Sequence, residues 1–122
     1  MEPTSIMDAY ALMKVCRQDK LADKFNIILN MVRSEEQAKT VFANLTKISE
    51  NYLFSTIKLL GTIPYSRSVS QAVLKRAPLC HLSPDDPVSK SIRAIAGKVM
   101  GTSGKALDSA GSEAIIKGIL NL

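Results

Sequence analysis

Phe25-Asn26-Ile27-Ile28-Leu29-Asn30-Met31-Val32 is the stretch that decides the fold. It is short, rich in branched side chains and nearly all apolar. That pattern predicts a strand covered on both faces, as the strands of parallel sheets are. A parallel strand needs a crossover and a partner, so the residues on either side of it should supply both.

They do so downstream. Ser34-Glu35-Glu36-Gln37 has the spacing of a capping box, and Ala38, Val41, Phe42, Leu45 and Ile48 continue one helical stripe toward Tyr52. Thr56 to Ile63 then forms a second apolar run with Gly61 inside it, and Pro64 ends the run by removing a ladder donor. Strand, helix and strand make a β-α-β unit with a right-handed crossover. Upstream, Ile6, Ala9, Leu12, Met13 and Cys16 recur at helical spacing behind Thr4 and Ser5, with Asp8 placed as in a capping box. This predicts a helix over 5–19.

Beyond Pro64 a short helix is expected through Ser68, Val69, Ala72, Val73 and Leu74, stopping before Pro78. Asp85-Asp86-Pro87 then caps another, with Val88, Ile92, Ile95, Ala96 and Val99 facing inward and Gly101 at its end. Residues 102–112 are small and polar and read as a flexible linker. At the end, Ile115, Ile116, Ile119, Leu120 and Leu122 fall within an arc of roughly 160° at 100° per residue, opposite Lys117 and Asn121. This predicts an amphipathic helix over 113–122, able to lie in a membrane interface or to dock on its own domain. The fold class is α/β, a partial doubly wound parallel sheet with a β-α-β core and flanking helices over 1–101. Two strands apolar on both faces want further neighbours, so the chain reads as part of a larger sheet with an exposed flank that pairs with a copy of itself.

The whole composition fits this size and class. The chain has 122 residues, 46% hydrophobic and 22% charged, enough for one folded domain with its own core. Its longest apolar stretches fall short of the roughly 18 residues a membrane span needs. Met1-Glu2-Pro3-Thr4 lacks the start of a secretory signal, so a cytoplasmic location is expected. Cys16 and Cys80 stand alone, without the CxxC or HxxxH spacing of a metal site, and read as reduced thiols. A net charge of +5 favours anionic partners without choosing between lipid, nucleotide and nucleic acid.

In open parallel sheets the ligand lies beyond the carboxyl ends of the strands. Here those ends are Asn30 to Arg33 and Pro64 to Arg67. The Asn30 amide donates and accepts at once, as pairing with an adenine edge requires, and Arg33 is able to stack on a ligand or neutralise it; a polar residue in that place is equally a turn former. No GxxxxGK[ST] phosphate loop is present. Gly101-Thr102-Ser103-Gly104-Lys105-Ala106 comes near, but it follows a helix and lacks the hydroxyl after its lysine. His81 has no carboxylate pair near it, and Cys80 beside it would point the opposite way in an extended segment, so it reads as a surface or loop-packing histidine, while Asp85 and Asp86 read as a helix start. Nucleic-acid binding has the charge but little aromatic interleaving.

Glu2-Pro3-Thr4-Ser5-Ile6-Met7-Asp8-Ala9-Tyr10-Ala11-Leu12, Asn30-Met31-Val32-Arg33-Ser34 and Gly61-Thr62-Ile63-Pro64-Tyr65 stand in this order and spacing. Together, over residues 2–100, they resemble the carboxyl half of MinD/ParA-type ATPases, P-loop proteins with a deviant Walker A motif, and most of all the flagellar number regulators called FlhG, FleN or YlxH. The resemblance implies a doubly wound P-loop NTPase fold whose missing strands belong to an absent amino half. That half would carry the phosphate loop and the magnesium ligands. It implies ATP or ADP with magnesium as cofactor of the whole protein, and an adenine pocket here in which Asn30 hydrogen-bonds the base and Arg33, Pro64 and Tyr65 line it. Ser66 departs from the pattern, since relatives often carry an acid there. The family further implies an ATP-dependent homodimer, held to the inner face of the cell membrane by the terminal helix and acting with flagellar assembly proteins. Without a phosphate loop the chain is expected to bind no nucleotide firmly and to hydrolyse no ATP alone. The contrasting expectation is a standalone basic adaptor for membrane or protein, free of nucleotide chemistry.

Overall fold

The computed structural model describes residues 3–106 and 113–116, with side chains over 4–101. In chain order the elements are α1 (Pro3–Gln18), β1 (Lys24–Val32), α2 (Glu35–Ile48), a π-helical turn (Ser49–Leu53), β2 (Thr56–Pro64), α3 (Arg67–Leu74), α4 (Leu79–Leu82), α5 (Pro87–Ala106) and β3 (Glu113–Ile116). The sheet runs β2-β1-β3, and both pairings are parallel.

β1 is the centre of the sheet, as its composition requires. Phe25, Ile27 and Leu29 are buried on the face shared with α1 and α2, beside Ala9, Met13, Ala38 and Leu45. Ile28 turns to the other face and joins Leu60 of β2 and Ile95 of α5 in a smaller cluster. Each of these large side chains contributes about 1.5–3 kcal/mol through burial. The strand is therefore fixed from above and below.

The β1–β2 ladder is interrupted in both strands. Ile27 pairs with Leu59 but Ile28 with Gly61, so Leu60 is an extra residue in β2. Further on, Leu29 pairs with Thr62 and Val32 with Pro64, leaving Asn30 and Met31 against Ile63 alone. Met31 takes φ 56, the left-handed region that a residue with a Cβ enters only at a cost of about 1–3 kcal/mol. The displaced Leu60 carbonyl accepts a hydrogen bond from Lys98 Nζ at 3.0 Å, which ties α5 to the bulge. Gly61 is needed beneath that helix: a Cβ there would stand 2.5 Å from Cγ1 of Ile95.

Several helix ends follow the sequence. Ser34 caps α2, its Oγ accepting from the Gln37 amide at 3.1 Å, and Gln37 Oε1 accepts in turn from the Arg33 amide at 2.9 Å. Asp86 caps α5 through the Val88 amide at 2.9 Å, with Pro87 as the first helical residue. Hydrogen bonds from Ser68 and the Val88 amide, with a smaller one from Ser66, hold its carboxyl below the ordinary value despite partial desolvation.

Other ends do not. α1 begins at Pro3, so Ser5 lies inside the helix, fully buried, and is no cap. The inward stripe of α1 is centred on Ala9 and Met13, while Leu12 is exposed. α2 gives way to a π turn at Ser49, and Tyr52 leaves its stripe for solvent. That turn is fixed by Ser49 Oγ donating to the Ser55 carbonyl at 2.8 Å and Ser55 Oγ donating to the Leu53 carbonyl at 3.1 Å. α5 runs through Gly101 to Ala106, so the first part of the expected 102–112 linker is helix; residues 107–112 lie outside the described residues. A glycine ends a helix only where the chain turns left-handed, and Gly101 does not. Cys80 and His81 sit in the single turn of α4, not in an extended segment.

The largest correction concerns the terminal segment. Glu113–Ile116 is a strand beside β1, with Ile115 opposite Asn26 and Ile116 opposite Ile27, in place of the start of an amphipathic helix. Two adjacent β-branched residues suit a strand, and β1 has an open edge to receive them. Ile119, Leu120 and Leu122 lie outside the described residues.

Candidate functional site

The ends of β1 and β2 reach one rim because parallel strands point the same way. At that rim the Tyr65 amide donates to the Val32 carbonyl at 2.9 Å, extending the pairing one step past Pro64. This brings Arg33 over Tyr65, its guanidinium carbon 4.3 Å from the ring centroid. At a solvent-facing place such a contact is worth about 0.5–1 kcal/mol. Its effect is to hold two mobile side chains as one flat, cationic surface.

Asn30 sits in the bulge of β1, half-buried, and among the described residues its side-chain amide has no hydrogen-bond partner. Its carbonyl oxygen and its NH2 group are thus left for a ligand or water. Bulges are common beside binding sites because they re-aim a side chain at a strand's end. The same feature explains the strain at Met31, the residue that completes the bulge.

A surface cavity of about 710 Å3 opens beside the rim, between α2 and β2. Val32, Phe42, Leu59 and Pro64 supply apolar walls, and Arg33 and Lys39 stand among its lining. Its size is in the range of small-ligand sites. Of the residues singled out in the sequence, Arg33 and Pro64 line this cavity, Tyr65 stacks on Arg33, and Asn30 lies in the adjoining bulge. Phe42 and Lys39 were missed: the first read as part of the helical stripe, and nothing in the sequence singled out the second. Only the position of α2 over β2 places them at the site.

The structure also settles the near-miss glycine motif. Gly101 to Ala106 is helical, so its amides bond along α5 and cannot cradle a phosphate. Among the described residues no group of His, Cys, Asp and Glu gathers as a metal site. No described helix is long and apolar enough to cross a membrane. Of the aromatic residues, Phe25 is buried and Tyr10 and Phe42 pack against the core, but Tyr52, Phe54 and Tyr65 are exposed.

No protein-family model matches the chain. It is 38% identical over 98 residues to the antiactivator FleN of Pseudomonas aeruginosa, covering 80% of this chain and 35% of that protein. It is 33% identical over 97 residues to the flagellum site-determining protein YlxH of Helicobacter pylori, covering 79% of this chain and 32% of that one. These similarities support a relation to the flagellar number regulators. The chain spans about a third of the length of the curated relatives it matches.

Proposed function

We propose that this chain acts in flagellar regulation as the carboxyl half of a MinD-like ATP-binding ATPase, and that it supplies the pocket for the adenine base. The observation that carries the reading is the Arg33–Tyr65 stack at the level ends of two parallel strands. In sheets of this kind a ligand is bound at that place. Tyr65 and Arg33 offer a flat surface for a purine, Asn30 offers the paired donor and acceptor its edge needs, and Pro64 closes the side.

The residues fit a base better than a triphosphate. Arg33 and Lys39 are the cations nearest the cavity, and the described residues hold no metal-ligand set. When bound, magnesium would neutralise the phosphates. Its ligands and the phosphate loop belong, on this reading, to the part of the longer protein outside this chain. This chain's own residues position and orient the base, and alone they hydrolyse nothing. The same reading makes the protein a homodimer at the inner face of the cell membrane, working with flagellar assembly proteins.

The test is a titration of the protein with a fluorescent adenine nucleotide, with the guanine analogue as comparator. Arg33→Ala and Tyr65→Ala should each weaken adenine binding about ten-fold, since a stack and a charge together are worth somewhat more than 1 kcal/mol. Asn30→Ala should erase the preference for adenine over guanine. Equal affinity in all variants would remove the base pocket from this rim.

A further inference from the structure

From Asn51 to Pro84 the chain has no Asp or Glu, while Lys58, Arg67, Lys75 and Arg76 lie within that span. α3 stands in the middle of it. Its inner side is settled: Ala72 is buried, and Ser68 faces Asp86 at the start of α5. Its outer side is not. Val69 is 41% exposed, Val73 70% and Leu74 83%, an apolar strip on an otherwise polar surface. Arg67 at one end of the strip and Lys75 and Arg76 at the other are exposed, and among the described residues none of them pairs with a carboxylate.

We infer that the outer side of α3 is a docking surface for an acidic amphipathic helix of a partner protein. Charge complementarity selects the occupant. A second copy of this chain would bring its own α3 cations against these, and like charges facing one another oppose such self-pairing. A helix with carboxylates beside its apolar stripe places them against Arg67, Lys75 and Arg76 instead. Shape separates this partner from a lipid surface. Helices that lie in a bilayer carry long Trp, Phe and Leu side chains on the inserted face. Val69 and Val73 are short and stand four apart, forming a ridge of the kind that packs into the groove of another helix, and Leu74 at the end of α3 is the single long apolar side chain of the strip. This surface begins at Arg67, two residues after Tyr65, and continues along α3 to Lys75 and Arg76, and the inference does not depend on nucleotide binding at the rim.

The experiment titrates isotope-labelled protein with three probes: a synthetic amphipathic helix carrying leucines on one face and glutamates on the other, the same helix with lysines for glutamates, and phosphatidylglycerol vesicles. Amide shifts locate the contact and fluorescence anisotropy gives the affinity. The acidic helix should bind, shift residues 67–76, and weaken as salt is raised. Val73→Asp, and separately Lys75→Glu with Arg76→Glu, should each weaken it at least ten-fold. Lys47→Glu, a charge change on the exposed side of α2, should leave it within two-fold and so separates local from net charge. Equal binding of the acidic and basic helices, shifts confined to other elements, no binding, or vesicles in place of the helix as the ligand of α3 would each overturn the inference.

Discussion

Replacing Gly61 with alanine tests the contact between β2 and α5. The new Cβ would lie 2.5 Å from Ile95 Cγ1 and 2.9 Å from its Cδ1, an ångström or so inside the usual carbon contact of about 3.5–4.0 Å. Ile95 is β-branched and helical, with one strongly preferred rotamer, so it has little freedom to swing away. It is also buried against Ile28 and Leu60. Overpacking of this kind costs about 1–3 kcal/mol. Alanine returns about 0.4–1 kcal/mol by restricting the unfolded chain, because the backbone at Gly61 lies outside the left-handed region. The balance is a loss of about 1–2 kcal/mol, read as a lower urea midpoint with unchanged slope. The decisive arm is the background Ile95→Ala, which alone should cost about 2–5 kcal/mol. With both clashing carbons gone, Gly61→Ala should become neutral or slightly stabilising. An equal loss in both backgrounds, or none in the parent, would refute this account of the contact.

Three further outcomes follow from particular bonds and edges. Ser34→Ala removes the acceptor for the Gln37 amide and should lower stability by about 1 kcal/mol in the same urea assay. Asp86 has a carboxyl held below its ordinary 3.8, so the stability it lends is complete above that value and is lost as pH falls through its lower folded value. Thermal melts between pH 6 and pH 2 should therefore show a smaller acid-dependent loss in Asp86→Asn than in the parent. The outer edge of β2 pairs with no strand among the described residues, so sedimentation velocity should show concentration-dependent association. A single monomeric boundary at high concentration would contradict this.

Periodicity and capping chemistry made the middle of the chain legible. The apolar run at 25–32 and the box at Ser34 foretold β1 and α2, because burial on both faces and a satisfied helix end act through neighbouring residues. Pro64 marked the end of β2 for the same local reason. The remainder depends on contacts distant in sequence. The bulge at Leu60 answers to the packing of α5, and neither it nor the one at Met31 leaves a local sign. Gly101 looks like a helix stop, yet α5 continues past it. The isoleucines near the end fit both a helical arc and a strand, and the open edge of β1 decided between them. At the candidate site, Asn30 and Arg33 were visible as polar residues closing an apolar strand, whereas Phe42 and Lys39 became part of it only once α2 lay across β2.

The two bulges have opposite effects on alignment. Partner numbers differ by 32 from Lys24↔Thr56 to Ile27↔Leu59, by 33 at Ile28↔Gly61 and Leu29↔Thr62, and by 32 again at Val32↔Pro64. Each strand thus holds one residue that the other does not match, and the pairs on either side keep their partners. Arg33 and Tyr65, themselves 32 apart, stand one step past the last of those pairs. Deleting Leu60 would therefore straighten β2 and still leave Ile28 opposite Gly61 and Arg33 beside Tyr65. What it would take away is the carbonyl that Lys98 holds, so the cost would fall on the tie to α5 and not on the rim.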